Sequence, residues 1–95
     1  MDAEIDYLLG SIGHHGCVFI RNGTRYSTMN ARTYLRSKLR LNRHLIDSSD
    51  EFIDKIASQS VESGKPYLIK CRGKERQPAG EWFSALLAEY RGSHS

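Results

Sequence analysis

The amino-acid sequence predicts an α+β domain: a small antiparallel sheet, built from a hairpin plus one later strand, with about four helices packed mainly on one face. Three observations lead there. Asn22-Gly23 separates Cys17-Val18-Phe19-Ile20-Arg21 from Thr24-Arg25-Tyr26, and Asn-Gly suits a type I′ hairpin turn because both central residues need φ > 0. The two cysteines, Cys17 and Cys71, both fall on candidate strands. Most other apolar residues recur at i, i+3, i+4 spacing, the mark of amphipathic helices.

The hairpin sets the register. With Asn22-Gly23 as the loop, Ile20 faces Arg25 and Phe19 faces Tyr26. Side chains alternate along a strand, so Cys17 shares a face with Phe19 and Tyr26. A later strand, Tyr67 to Cys71, puts Cys71 on a face with Ile69 and Tyr67. This placement suggests one small sheet closed by one bridge; two buried free thiols are the alternative. A bridge across so long a loop is worth about 4 kcal/mol in chain-entropy terms, and it needs an oxidising compartment. Val18, Ile20 and Leu68 then point to the other face, with Arg25 and Lys70 at its rim. Left uncovered by a helix, they would form an apolar partner surface. An uncovered edge strand would invite a second copy, so a homodimer joined through the sheet is a further expectation.

The helices follow in order. Asp2 to about His15 carries Ile5, Leu8, Leu9 and Ile12 on one stripe, with Asp2 placed to cap, Glu4 and Asp6 near the positive helix start, and Gly16 as a stop. Ser27 is a good N-cap for a helix from about Thr28 to about Leu45. On that helix Ala31, Tyr34, Leu35, Leu39, Leu41, Leu45 and Ile46 share a broad face, and Arg32, Arg36, Arg40 and Arg43 share a flank. Lys38 projects into the apolar stripe, so it snorkels, pairs with a carboxylate, or marks a bend near Leu39. Ser48 and Glu51 form a capping box for a third helix carrying Phe52, Ile53, Ile56 and Ala57, ended by Gly64 and Pro66. Ser58, Ser60 and Ser63 lie near its end, with no His or Lys spaced to activate one as a nucleophile. A polar loop, 72–77, leads to Pro78 at the first position of a last helix carrying Trp82, Phe83, Leu86, Leu87 and Tyr90. Gly92 closes that helix, and residues 93–95 are expected to fray.

Ninety-five residues make a single domain, 1–95. Hydrophobic residues at 39% and charged residues at 26% are ordinary globular usage. The apolar runs are too short for a transmembrane span, and no secretory leader is visible. Met1 directly before Asp2-Ala3-Glu4 fits either a native start or one that stands in for a removed leader. Net charge is only +3, but Cys17 to Ile46 holds Arg21, Arg25, Arg32, Arg36, Lys38, Arg40 and Arg43 with no Asp or Glu. Asp2, Glu4 and Asp6 precede this block, and Asp47, Asp50, Glu51 and Asp54 follow it. Internal pairing between the blocks is the plainer expectation; an anion-facing surface is the sharper one.

No residue set amounts to a catalytic signature. Adjacent His14 and His15 point apart on a helix and chelate poorly, and His44 is isolated, so neither a metal nor a cofactor is expected. Ser63-Gly64-Lys65 resembles the end of a phosphate-binding loop, but the upstream glycine is missing and Pro66 stands where Ser or Thr is needed. Glu81 and Glu89 show no partner carboxylate across a cleft.

Phe19-Ile20-Arg21-Asn22-Gly23, then Leu35 to Leu39, Ile46-Asp47, Phe52-Ile53-Asp54-Lys55 and Gly64-Lys65-Pro66-Tyr67 resemble the YfeK-like family of small bacterial proteins of unknown function. The resemblance runs from about Ile5 to Tyr90. It implies a secreted precursor and a periplasmic mature domain, and it favours the Cys17–Cys71 bridge. It carries no activity onto named residues. The leading expectation is therefore a non-enzymatic periplasmic binding protein, in concrete form an inhibitor or immunity protein against a cell-wall-degrading enzyme. Its partner surface would use Arg32, Arg36, Arg40 and Arg43 or the Val18, Ile20 and Leu68 face. Nucleic-acid binding through the basic helix is the alternative, set against acidic flanks and the lack of any recognised nucleic-acid-binding motif.

Overall fold

The computed structural model describes residues 1–14, 16–60 and 62–94. The hairpin forms as its turn chemistry requires: Asn22 at φ 50° and Gly23 at φ 81° join β1 (Cys17–Arg21) to β2 (Thr24–Tyr26). Phe19 lies opposite Tyr26 and Ile20 opposite Arg25. On its other side β1 pairs antiparallel with β3 (Leu68–Cys71), so that Cys17 meets Cys71 and Phe19 meets Ile69. The two cysteines are bonded, with their Cα atoms 4.0 Å apart, close to the narrow spacing of a non-hydrogen-bonded antiparallel pair.

A fourth strand, β4 (Gln77–Pro78), extends the sheet to the order β2-β1-β3-β4 and was not expected. Pro78 therefore ends a strand rather than starting a helix. It occupies the outermost strand, where a missing N–H leaves no ladder bond unmade.

Four α-helices are seen among the described residues: α1 (Asp2–His14), α2 (Thr28–Asn42), α3 (Ser49–Lys55) and α4 (Ala79–His94). Ser27 caps α2 by accepting from the Asn30 N–H, and Ser48 caps α3 by accepting from the Glu51 N–H. Asp2, expected as a cap, lies inside the first turn of α1 and pairs with Arg43 at 2.6 Å. After Asn42 the chain tightens into a 3-10 turn, Arg43–Leu45. This change of pitch breaks the stripe expected to continue along the helix: Ile46 is buried, while Leu45 is 51% exposed; Leu41, still within α2, lies at the edge of the stripe and is 73% exposed.

The third helix stops at Lys55, well before Gly64. Beyond it the backbone turns back on itself. Ser60 N–H donates to Lys65 O, Tyr67 N–H donates to Ser58 O, and Gln59 bridges Pro66. These cross-chain bonds replace the i to i−4 bonds that a longer helix would need. Gly80 allows α4 to close on this turn, since a Cβ there would come within 2.6 Å of Ser58 Oγ. At its other end α4 runs on through Gly92 to His94, where a stop was expected, and Ser95 lies outside the described residues.

One apolar core joins a sheet face to every helix. Phe19, Ile69 and both cysteines pack in one cluster with Leu8 and Leu9 of α1, Leu35 of α2, Phe52 of α3 and Phe83 of α4. Ion pairs fasten the outside of α1: Arg36 to Asp6 at 2.9 Å, and Arg91 to Glu4 at 2.8 Å. Glu4 also accepts from the buried Ser49 hydroxyl at 2.7 Å. Arg91 first, then Ser49, hold its carboxyl at about 2, well below the usual carboxylate range.

Candidate functional site

Position 21 shares its face of β1 with Cys17 and Phe19, so Arg21 is directed toward the helices. Its Nη1 donates to the Tyr26 hydroxyl at 3.1 Å, and its guanidinium carbon lies 5.0 Å from the centre of the Tyr34 ring. Bonding to Tyr26 is the main reason its proton is held even more firmly than usual. Arg21 Nε is buried, with no hydrogen-bond partner among the described residues.

Across from it stands Lys38, only 9% exposed. None of the three explanations expected for this lysine describes it fully. The ammonium does not reach solvent freely and is bonded to no carboxylate among the described residues. Lys38 Nζ donates to Gln59 O at 3.0 Å and to the Tyr67 hydroxyl at 2.8 Å. The Tyr67 and Tyr34 hydroxyls are hydrogen-bonded to each other at 3.0 Å. Burial, and secondarily the charge of Arg21, push the Lys38 pKa down. Tyr67 is wholly enclosed, and burial together with the bond to Tyr34 pushes its pKa up, so the phenol stays neutral.

Arg21, Tyr34, Lys38, Asn42, Ser60 and Glu62 line a solvent-connected pocket of about 360 Å³, with the exposed Leu41 on its wall. It opens where the hairpin and the second half of α2 meet Ser60 and Glu62. Ser63 Oγ donates to Asn22 Oδ1 at 2.7 Å and ties that segment to the hairpin tip. Two cations thus border one pocket. No carboxylate is bonded to either among the described residues, and Glu62 is the single acid on the wall. Tyr67 is fully buried and is absent from the pocket wall, where Arg21 and Lys38 bring the positive charge.

The residues expected to form the partner surface are dispersed. Arg36 and Arg43 are matched by Asp6 and Asp2 of α1, as internal pairing requires. Arg32 and Arg40 are exposed, with no ion pair among the described residues. Arg32, Arg36 and Arg40 lie on the flank of α2 turned away from the pocket, and Arg43 opens the 3-10 turn beyond it. The apolar patch is smaller than expected: Val18 and Leu68 are half-buried, and Ile20, at 3% exposure, is closed to a partner. Ile20 stands apart from the main core cluster, with Leu68 and Arg25 as its cross-strand neighbours. Cys17 and Cys71 are brought together. His15 lies outside the described residues, and His44 is exposed on the 3-10 turn. Among the described residues, no group of His, Cys, Asp and Glu is placed to hold a metal ion. Nor, among them, is any helix long and apolar enough to cross a membrane.

Sequence reasoning placed Arg21 in the basic block and Ser60 among the serines after the third helix, but did not join either to Lys38 in one site, though a signal existed. Arg21 continues the inward parity of Cys17 and Phe19, and Lys38 interrupts an apolar stripe. Two inward cations in an otherwise apolar context mark a shared site.

A family model described as a family of unknown function, DUF5329, matches residues 1–91. An uncharacterized protein of Salmonella typhimurium, YfeK, is 39% identical over 67 residues, covering 70% of this chain. The chain spans 56% of the length of that relative. No solved structure matches the chain.

Proposed function

Because the chain belongs to DUF5329, a YfeK-like family of unknown function, its activity has to come from its own geometry, and we propose that it is a non-enzymatic binding protein of the bacterial envelope. Its concrete form is an inhibitor or immunity protein that blocks a cell-wall-degrading enzyme. One observation carries this proposal: Arg21 and Lys38 border the same pocket, and no internal carboxylate is bonded to either among the described residues. A buried cation without a countercharge is costly. It is retained where charge arrives from a partner, and desolvated charge pairs are among the strongest anchors of protein interfaces. The Cys17–Cys71 bond supports an oxidising compartment such as the periplasm. Glycan-cleaving enzymes, with their paired catalytic carboxylates, offer an acidic partner surface.

The test is the rate at which an envelope extract solubilises isolated cell wall. Added protein is expected to slow that rate, and Arg21→Glu is expected to remove most of the effect. Arg40→Glu, on the far flank of α2, should act like the parent. No slowing at any excess of protein would count decisively against an inhibitor.

A further inference from the structure

Resting on the binding role proposed above, and deepening it, we infer that the pocket between Arg21 and Lys38 takes a single carboxylate, the side chain of an Asp or Glu flanked by apolar residues on a protein partner.

Hydrogen-bond bookkeeping points to an acceptor from outside. An ammonium has three N–H donors. Lys38 uses two, on Gln59 O and the Tyr67 hydroxyl, with no third acceptor among the described residues. Arg21 Nε is also unmatched. Unmade bonds on a buried charged group are expensive, and such a group in a native fold calls for a specific explanation. Nη1 is bonded to Tyr26, and the Tyr34 and Tyr67 hydroxyls also approach the guanidinium; the unmatched Nε belongs to the edge of the planar fork that a carboxylate accepts in bidentate fashion. Nε is covered, so the guanidinium has to turn off the Tyr34 ring to present that edge.

Charge sets the valence of the guest. Arg21 and Lys38 contribute two positive charges and Glu62 one negative, so the wall as a whole carries about one net positive charge. A monoanion cancels it, whereas a phosphate dianion would be opposed by Glu62. Shape sets its surroundings. Leu41, 73% exposed on the pocket wall, and the half-buried ring of Tyr34 offer apolar contact beside the charged floor. A free inorganic anion would leave that surface wet.

The test titrates the isotope-labelled full chain with a blocked pentapeptide carrying one glutamate between two leucines, with its glutamine counterpart, and with inorganic phosphate. NMR shifts at the Arg21 side chain and at the Tyr34 and Lys38 amides report occupancy. The glutamate peptide is expected to bind at least about tenfold more tightly than the glutamine peptide, the worth of charge-assisted bonds. Arg21→Gln, which keeps a polar partner for Tyr26, is expected to weaken the glutamate peptide by about the same factor. Equal affinity for the two peptides, phosphate binding more tightly than the glutamate peptide, or unchanged affinity in Arg21→Gln would each overturn the assignment. The binding role stands separately. If cell-wall hydrolysis is inhibited equally by parent and Arg21→Gln, the carboxylate site is wrong and the inhibitor survives. If the glutamate peptide binds here and no hydrolysis is slowed, the site is right and the inhibitor is wrong.

Discussion

Replacing Cys17 and Cys71 together by serine and alanine is expected to cost about 4 kcal/mol of stability, since the bond closes a loop with a sequence separation of 54 residues. In a chain of 95 residues that corresponds to a melting temperature lower by roughly 20 °C. The pairing sits at the junction of β1 and β3, with both side chains in the main core, so its loss falls on the element that orients Arg21. Most of the effect acts through the unfolded chain, which gains freedom when the link is absent. Thermal unfolding of the parent in the presence and absence of reductant, alongside the double variant, checks it. The reduced parent and the variant should melt together. A melting temperature that reductant leaves unchanged, with alkylation confirming the free thiols, would mean that β1 and β3 need no staple.

Phe19→Ala is expected to destabilise by about 3–5 kcal/mol, the range for emptying a phenylalanine site in a core. Phe19 is fully buried at the centre of the sheet, and its ring lies 5.0 Å from Tyr67 and 6.0 Å from Tyr26. Those two tyrosines are the acceptors for Lys38 and Arg21, so the packing of one ring positions both cations. Urea unfolding would read the loss from a lower midpoint at an unchanged slope. A cost below about 1 kcal/mol would show that the neighbouring rings close the gap.

Local chemistry explains what was legible in the sequence. Asn22-Gly23 admits few other conformations, and once the turn was placed, strand parity delivered the Phe19–Tyr26 register and brought Cys17 to the face that Cys71 shares. Ser27 and Ser48 announced helix starts because a hydroxyl at that point meets an otherwise unpaired N–H. What escaped notice is decided by partners distant in the chain. Gln77 and Pro78 have no strand character of their own and pair because β3 presents Ile69 and Leu68 to them. α3 ends early because residues 58–60 find their hydrogen bonds at residues 65–67. The flank of four arginines looked like a binding surface, yet Asp2 and Asp6 of the first helix neutralise half of it. The pocket could be seen only in outline. Lys38 was conspicuous in its stripe, but its acceptor Tyr67 lies 29 residues away and its charged neighbour Arg21 belongs to the hairpin.

The most direct test of the central claim, that Arg21 and Lys38 are kept for a charge supplied from outside, is the unfolding free energy of Lys38→Met. Methionine fills a similar volume, removes the buried charge and its repulsion with Arg21, and leaves Tyr67 its bond to Tyr34. An uncompensated buried charge carries a large desolvation cost, and removing it offsets the loss of the bonds from Lys38 to Gln59 O and the Tyr67 hydroxyl. The expected result is a stability within about 1 kcal/mol of the parent, or above it. A loss of about 3 kcal/mol or more, the usual cost of breaking a buried charged network, would make Lys38 a strut of the fold and contradict a site held open for a partner.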